Sequence, residues 1–145
     1  MSHRLAQDQR RLYRDLAWTW PIIGSPENRV QVAQQFLGLA RQHALTEVHS
    51  LLDLGCGGGH NDLTWKKQVQ VTGVDISEDM LLLAGRTNPE VPYLPGDLRS
   101  VRLEQEFDAV VIAEAITYML TTDELRAAFA TAGRRCSDFA TPKVA

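Results

Sequence analysis

The segment Leu51-Leu52-Asp53-Leu54-Gly55-Cys56-Gly57-Gly58-Gly59 runs an apolar stretch directly into a glycine-rich turn, and Asp75 follows 22 residues after Asp53. Glycines let the main chain approach a ligand closely, and a helix starting after the turn presents unpaired N–H groups and the positive end of its dipole. A carboxylate ending the next strand, at this spacing, can accept both hydroxyls of a ribose. The two features converge on one nucleoside. The dinucleotide pattern G-x-G-x-x-G fails at its last position, where His60 stands after Gly55 and Gly57, which weakens a reading as an NAD site. Each residue also has an ordinary structural reading. Asp75 closes a strand at the surface, Cys56 is a small buried apolar group, and His60 with Asn61 starts a helix. His3, His43 and His49 are scattered without metal-ligand spacing.

The elements that must position these residues are legible in the apolar pattern. Residues 2–20 place Leu5, Leu12, Tyr13, Leu16, Ala17 and Trp20 on one helical face, with Pro21 as the stop. A second helix is expected with Ser25 as N-cap and Pro26 as its first residue, burying Val30, Ala33, Phe36, Leu37 and Ala40. From Val48 onward, short apolar runs alternate with glycines and capped helices, as in a parallel sheet covered on both faces. Strands are expected at residues 48–54, 69–75, 91–94 and 107–113. A turn and short helix fill residues 55–68, a helix capped by Ser77 reaches about Thr87, and a capping box of Thr121 and Glu124 opens a helix ending near Gly133. The expected organisation is a helical segment over residues 1–46, an α/β domain over 47–133 and an irregular tail over 134–145.

A length of 145 residues, 44% hydrophobic and 23% charged, suits one globular domain and excludes a disordered or collagen-like chain. The longest apolar runs, residues 80–84 and 109–113, fall far short of the ~20 residues a membrane-spanning helix needs. The polar start, residues 1–14, lacks the apolar stretch of a secretion signal, and a cytoplasmic location is expected. Two cysteines, Cys56 and Cys136, exclude a disulfide framework and a four-cysteine zinc site. Residues 1–50 carry six Lys/Arg against four Asp/Glu, residues 51–133 six against thirteen, and residues 134–145 three against one. An acidic centre is the wrong sign for gripping a nucleic-acid backbone.

The glycine segment matches D-x-G-x-G-x-G in full, and there it resembles motif I of the class I S-adenosylmethionine-dependent methyltransferases. The resemblance continues through Val71-Thr72-Gly73-Val74-Asp75-Ile76-Ser77 with Met80-Leu81, then Leu94-Pro95-Gly96-Asp97-Leu98, then Phe107-Asp108-Ala109-Val110-Val111, spanning about residues 48–133. It implies an α/β fold with a Rossmann-like, mostly parallel sheet whose first four strands lie in the order 3-2-1-4, preceded by an N-terminal helical lid. The implied cofactor is S-adenosyl-L-methionine, a cation that an acidic site favours over an anionic dinucleotide. By the same resemblance Asp75 takes the ribose diol, while Asp53 supports the glycine turn and the ligand's ammonium. Gly55, Cys56 and Gly57 line the methionine end. Ile76 and Met80 sandwich the adenine, and Asp97 accepts from its exocyclic amine beside the N–H of Leu98. Asp97 also reads as a turn aspartate and Met80 equally as a core residue. Tyr13, with Trp18 and Trp20, is placed in the lid. Glu114, Thr117 and Tyr118 follow the fourth strand, where an acceptor would sit, and Glu114 is counted with Tyr13 among the cofactor-binding residues. No catalytic residue is assigned, since methyl transfer from a sulfonium needs mainly proximity and alignment.

Members of that family share a seven-stranded sheet, with a Leu-Arg-Pro-Gly-Gly turn after the helix corresponding here to residues 125–132. Gly133-Arg134-Arg135-Cys136-Ser137-Asp138 stands in that place and the sequence ends at Ala145. The resemblance thus implies a C-terminally truncated chain whose fourth strand, with Val110-Val111-Ile112, is an exposed edge open to self-association. Three functions follow: methyl transfer to a small-molecule acceptor, S-adenosylmethionine binding without independent activity, and a NAD-dependent oxidoreductase supported only by the strand-turn-helix and Asp75. The sequence leaves open which acceptor is used and whether nitrogen, oxygen or carbon is methylated.

Overall fold

The two apolar runs that flank the glycine turn form the centre of a four-stranded parallel sheet. In the computed structural model, which describes residues 10–136, β1 (Ser50–Leu54) lies between β2 (Gln70–Asp75) and β4 (Ala109–Val111). Strand β3 (Tyr93–Pro95) lies outside β2, giving the expected order β3-β2-β1-β4. Val48, Val69 and Val91 are buried just ahead of the strands rather than within them, so their apolar character reflects core packing, not ladder pairing.

Register decides which side chains share a face. Leu51, Val71 and Ala109 stand abreast, and one pleat further along Asp53, Gly73, Tyr93 and Val111 stand abreast, so both rows face the same way. This face is covered by α2 (Val30–His43) and α3 (Asp62–Trp65) through Ala33, Leu37 and Trp65. The indole N–H of fully buried Trp65 donates to the Ala33 carbonyl at 2.7 Å and fastens α3 to α2. The opposite face presents Leu52, Leu54 and Val74 to Leu98, Val101 and Leu103 and to Ala132 of α5 (Thr122–Arg135). Ser77 caps α4 (Glu78–Thr87), its hydroxyl accepting from the Met80 N–H, and α4 buries Met80 and Ala84.

The N-terminal segment differs from the continuous helix expected. Arg11–Tyr13 and Ala17–Thr19 are single 3-10 turns, and α1 (Trp20–Ile23) contains Pro21 in its first turn instead of ending there. A proline lacks only an N–H that a first turn leaves unpaired anyway. Residues 2–9, with Leu5, lie outside the described residues. Pro26–Arg29 forms a 3-10 turn leading into α2, and Val30 is exposed, while Ala33 and Leu37 are buried as expected.

The C-terminal end also corrects an expectation. The capping box of Thr121 and Glu124 is present, but α5 continues past Gly133 through Arg135. Cys136 then forms a parallel bridge with Phe107, whose N–H donates to the Arg135 carbonyl at 2.7 Å. Residues 134–136 are therefore ordered, and the outer side of the fourth strand has a neighbour at its start. Residues 137–145 lie outside the described residues. Among the described residues no helix is long and apolar enough to cross a membrane.

Candidate functional site

The chain leaves β1 by a sharp reversal: the N–H groups of Gly55 and Cys56 both donate to the Val74 carbonyl, at 2.7 and 3.0 Å. Gly55 and Gly57 have φ of +84° and +54°, in the left-handed region that other residues enter only at a cost of roughly 1–2 kcal/mol. A Cβ on Gly55 would collide with Ala115, whereas one on Gly57 would meet no atom within 4 Å. Gly57 thus leaves backbone accessible beside open space. Asp75 clasps this loop from the end of β2, accepting from the Gly57 N–H at 2.8 Å and from the Ser77 N–H at 2.9 Å.

A cavity of about 630 Å³ lies at the C-terminal ends of β1, β2 and β4, within the range of small-molecule pockets. Asp53, Gly55, Cys56 and Gly57 reach it from β1 and its turn, Asp75 and Ile76 from the end of β2, and Asp97 and Leu98 from the turn after β3. Tyr13 lines it from the N-terminal segment and Glu114 from the segment after β4. Met80 is the exception: it is fully buried in the core and is not part of the cavity wall. The Ser77 cap orients the first turn of α4 so that Met80 faces inward, leaving Ile76 as the apolar wall. Trp18 is likewise outside the cavity and 66% exposed, while Trp20 lines it. Thr117 donates to the Glu114 carbonyl at 2.7 Å.

Asp97 is already engaged. Arg99 grips its carboxylate through Nε at 2.9 Å and Nη2 at 2.6 Å, and binds Glu124 through Nη1 at 2.5 Å. Burial pushes the Asp97 carboxyl up, yet the Arg99 bonds outweigh it and hold the group below the usual range. Asp53 behaves in the opposite way. Burial, then the charge of Asp62 and a hydrogen bond with it, then the charge of Asp75, push its carboxyl well above the usual range. Burial lifts Asp62 to about 6 despite the bond it accepts from the Tyr93 hydroxyl at 2.8 Å. Burial also raises the Cys56 thiol, which fits a packing role. Both carboxyls hold a proton more tightly in the folded chain than in the unfolded one, so the stability they contribute falls as pH climbs through about 6. Asp62→Asn is expected to gain stability relative to the parent between about pH 5 and about pH 8, as measured by urea unfolding at both ends.

Aromatic groups cover the cavity. The Tyr13 and Tyr118 rings meet edge-on with centroids 5.8 Å apart and their hydroxyls in contact, and Trp20 lies 5.8 Å from Tyr13. The Arg10 guanidinium sits 3.7 Å from the Tyr118 ring centroid. Arg29 bridges from the segment before α2 to Glu114 at 2.6 Å, and burial followed by the Arg29 charge lowers the pKa of buried His60, which also lines the cavity. Arg10 and Arg29 act across the chain and Asp62 through burial, so none had a sequence signal; Arg99, two residues from Asp97, and Asn61, read only as a helix start, also line the cavity. Among the described residues no group of side chains could hold a metal ion.

The family profile described as "Methyltransferase domain" matches residues 51–138. A dTDP-3-amino-3,4,6-trideoxy-alpha-D-glucopyranose N,N-dimethyltransferase of Streptomyces venezuelae is 40% identical over 110 residues, 74% of this chain and 46% of that protein. A dTDP-4-amino-2,3,4,6-tetradeoxy-D-glucose N,N-dimethyltransferase of Saccharopolyspora spinosa is 38% identical over 84 residues, covering 57% and 34% of the two chains. The chain thus spans less than half the length of these relatives. Among solved structures, Streptomyces venezuelae DesVI superposes with a TM-score of 0.72 at 32% identity, covering 84% of this chain and 50% of that one. SAM-bound CalS10, an amino pentose methyltransferase from Micromonospora echinaspora, gives 0.72 at 29%, covering 85% and 51%.

Proposed function

Because the chain belongs to the methyltransferase domain family, we propose that it binds S-adenosyl-L-methionine in the cavity and directs its methyl group to the amine of a small amino sugar. The observation that carries the cofactor assignment is Asp53 on the cavity wall, fully buried with Oδ1 lacking a hydrogen-bond partner, beside Gly57, whose missing side chain leaves open space. Arg99 pairs with Asp97 and Arg29 with Glu114 at the wall, while Asp53 and Asp75 flank the glycine loop, an arrangement that suits a cationic ligand with an amino-acid end. A pyrophosphate would meet the His60 ring where the dinucleotide pattern has glycine, and Asp75 at the loop carries its sign of charge.

Asp75 is placed to accept the ribose hydroxyls while it holds Gly57, so the same carboxylate shapes the loop and reads the sugar. Ile76 and Leu98 supply apolar contact for the adenine. Asp97 offers its remaining lone pairs to the exocyclic amine, with Arg99 fixing its orientation. The sulfonium supplies an activated methyl group and a neutral leaving thioether. What the chain must add is alignment and exclusion of water, which Tyr13, Trp20 and Tyr118 provide as the lid over the cavity. Glu114, held by Arg29 after β4, is the group placed to orient an acceptor amine. A cytoplasmic location belongs to the same proposal, supported by Cys56 and Cys136 being free thiols. So does self-association through the outer edge of the fourth strand, which the Cys136 bridge covers only at Phe107.

The amino-sugar acceptor rests on the two N,N-dimethyltransferase relatives. Radiolabelled methyl transfer by the full chain to a nucleotide-linked amino sugar, against the same sugar with hydroxyl in place of amine, tests it. Label on the amine alone is expected; equal or preferential label on the hydroxyl sugar would overturn the acceptor class.

A further inference from the structure

Beneath the glycine loop lies a buried polar assembly that cofactor contact alone does not explain. The sheet register sets Asp53, Gly73 and Tyr93 side by side on the face covered by α3. Gly73 has no side chain, and the Tyr93 ring occupies the space where its Cβ would stand. The ring's hydroxyl can then reach across to α3 and donate to Asp62 at 2.8 Å. Asn88, buried after α4, donates to the Tyr93 hydroxyl at 3.0 Å and to the Gly59 carbonyl at 2.8 Å, tying the assembly to the loop. Asp62 therefore has a fixed donor on one oxygen. Its other oxygen, Oδ1, and Asp53 Oδ1 are both buried without a hydrogen-bond partner, and each carboxyl acts on the other.

We propose that Asp53 and Asp62, held in register by Tyr93 and Asn88, share one proton in the unliganded chain and release it to solvent when the ammonium of the cofactor's amino-acid end docks against Asp53. This rests on the S-adenosylmethionine site proposed above and adds Asp62, Tyr93 and Asn88 as positioning residues. The groups acting on Asp53 are Asp62 from α3 and Asp75 from β2; the Cys56 thiol and the Tyr93 phenol, both raised by burial, remain protonated beside them. Two buried carboxylates in contact cannot both ionise without a cation. The ammonium supplies that missing charge, and the carboxylic O–H breaks heterolytically, its proton passing to the buffer. Affinity then rises with pH, up to about tenfold per unit while the pair still carries its proton.

The test is calorimetric titration of the full chain with S-adenosylhomocysteine near neutral pH, in two buffers of different ionisation enthalpy. The observed heats are expected to differ by the amount corresponding to release of roughly 0.5–1 proton. 5′-Methylthioadenosine, the same nucleoside without the amino-acid end, is expected to bind without proton release. Asp62→Asn, whose amide can donate to Asp53, is expected to bind S-adenosylhomocysteine with release reduced to near zero. Binding with a buffer-independent heat, or equal release with both ligands, would overturn the proton-sharing pair while leaving the cofactor site standing. Absence of any binding would overturn both.

Discussion

Gly55→Ala is expected to destabilise the chain by roughly 2–5 kcal/mol and to weaken S-adenosylhomocysteine binding by at least about tenfold. The first part combines two independent penalties. A side chain at φ +84° enters the left-handed region, worth about 1–2 kcal/mol. The new methyl also collides with Ala115, and overpacking of this kind typically adds ~1–3 kcal/mol. The second part follows from what the reversal holds. Gly55 and Cys56 share the Val74 carbonyl, so displacing Gly55 moves Cys56 and Gly57, the backbone that borders the cavity. Urea unfolding measures the first and calorimetry the second. Gly57→Ala makes the useful contrast: its Cβ meets nothing, so stability falls only by the backbone penalty at a position that lines the cavity. Equal behaviour of the two variants would show that Ala115 does not constrain the loop.

Asp75→Ala is expected to reduce cofactor affinity about 10- to 100-fold, the range set by hydrogen bonds to a charged group of ~1.5–3 kcal/mol. The carboxylate has three tasks: it accepts from Gly57, accepts from Ser77, and is placed to read the ribose. Asp75→Asn separates them, because an amide keeps one acceptor for the loop but presents a donor where the diol needs an acceptor. The fold is expected to survive in both variants, since Asp75 sits at a strand end with a solvent-facing side, and circular dichroism checks this. Unchanged affinity would place the ribose elsewhere.

Positions that act through neighbours in sequence were readable; those that act through register or burial were not. The run from Leu51 to Gly59 announces a strand entering a tight turn because each residue does its work within a few positions, and Asp75 follows from strand length alone. Ser77 and the pair Thr121 and Glu124 announced their helices for the same reason. Tyr13 and Trp20 were placed at the site by resemblance, but their helical spacing suggested one continuous helix. The chain instead breaks into 3-10 turns that bring both rings over the cavity, with Ser77 donating to the Tyr13 carbonyl to anchor the fold-back. Met80 shows the converse: its position after the Ser77 cap suits either a cofactor wall or the core, and only the rotation of α4 chooses the core. Asp62, Tyr93 and Asn88 come from three elements and meet because β1, β2 and β3 align Asp53 with Gly73 and Tyr93. The one sequence hint was Gly73 inside a strand, a position that often marks a close approach by another group.

Equilibrium dialysis of the full chain with radiolabelled S-adenosylmethionine, competed by S-adenosylhomocysteine and by NAD, tests the cofactor assignment most directly. The carboxyls of Asp53 and Asp75 beside the glycine loop, and a dinucleotide pattern that fails at His60, predict saturable binding that S-adenosylhomocysteine displaces at least about tenfold more effectively than NAD. Displacement by NAD at lower concentration than S-adenosylhomocysteine, or no saturable binding of the methyl donor, would contradict it.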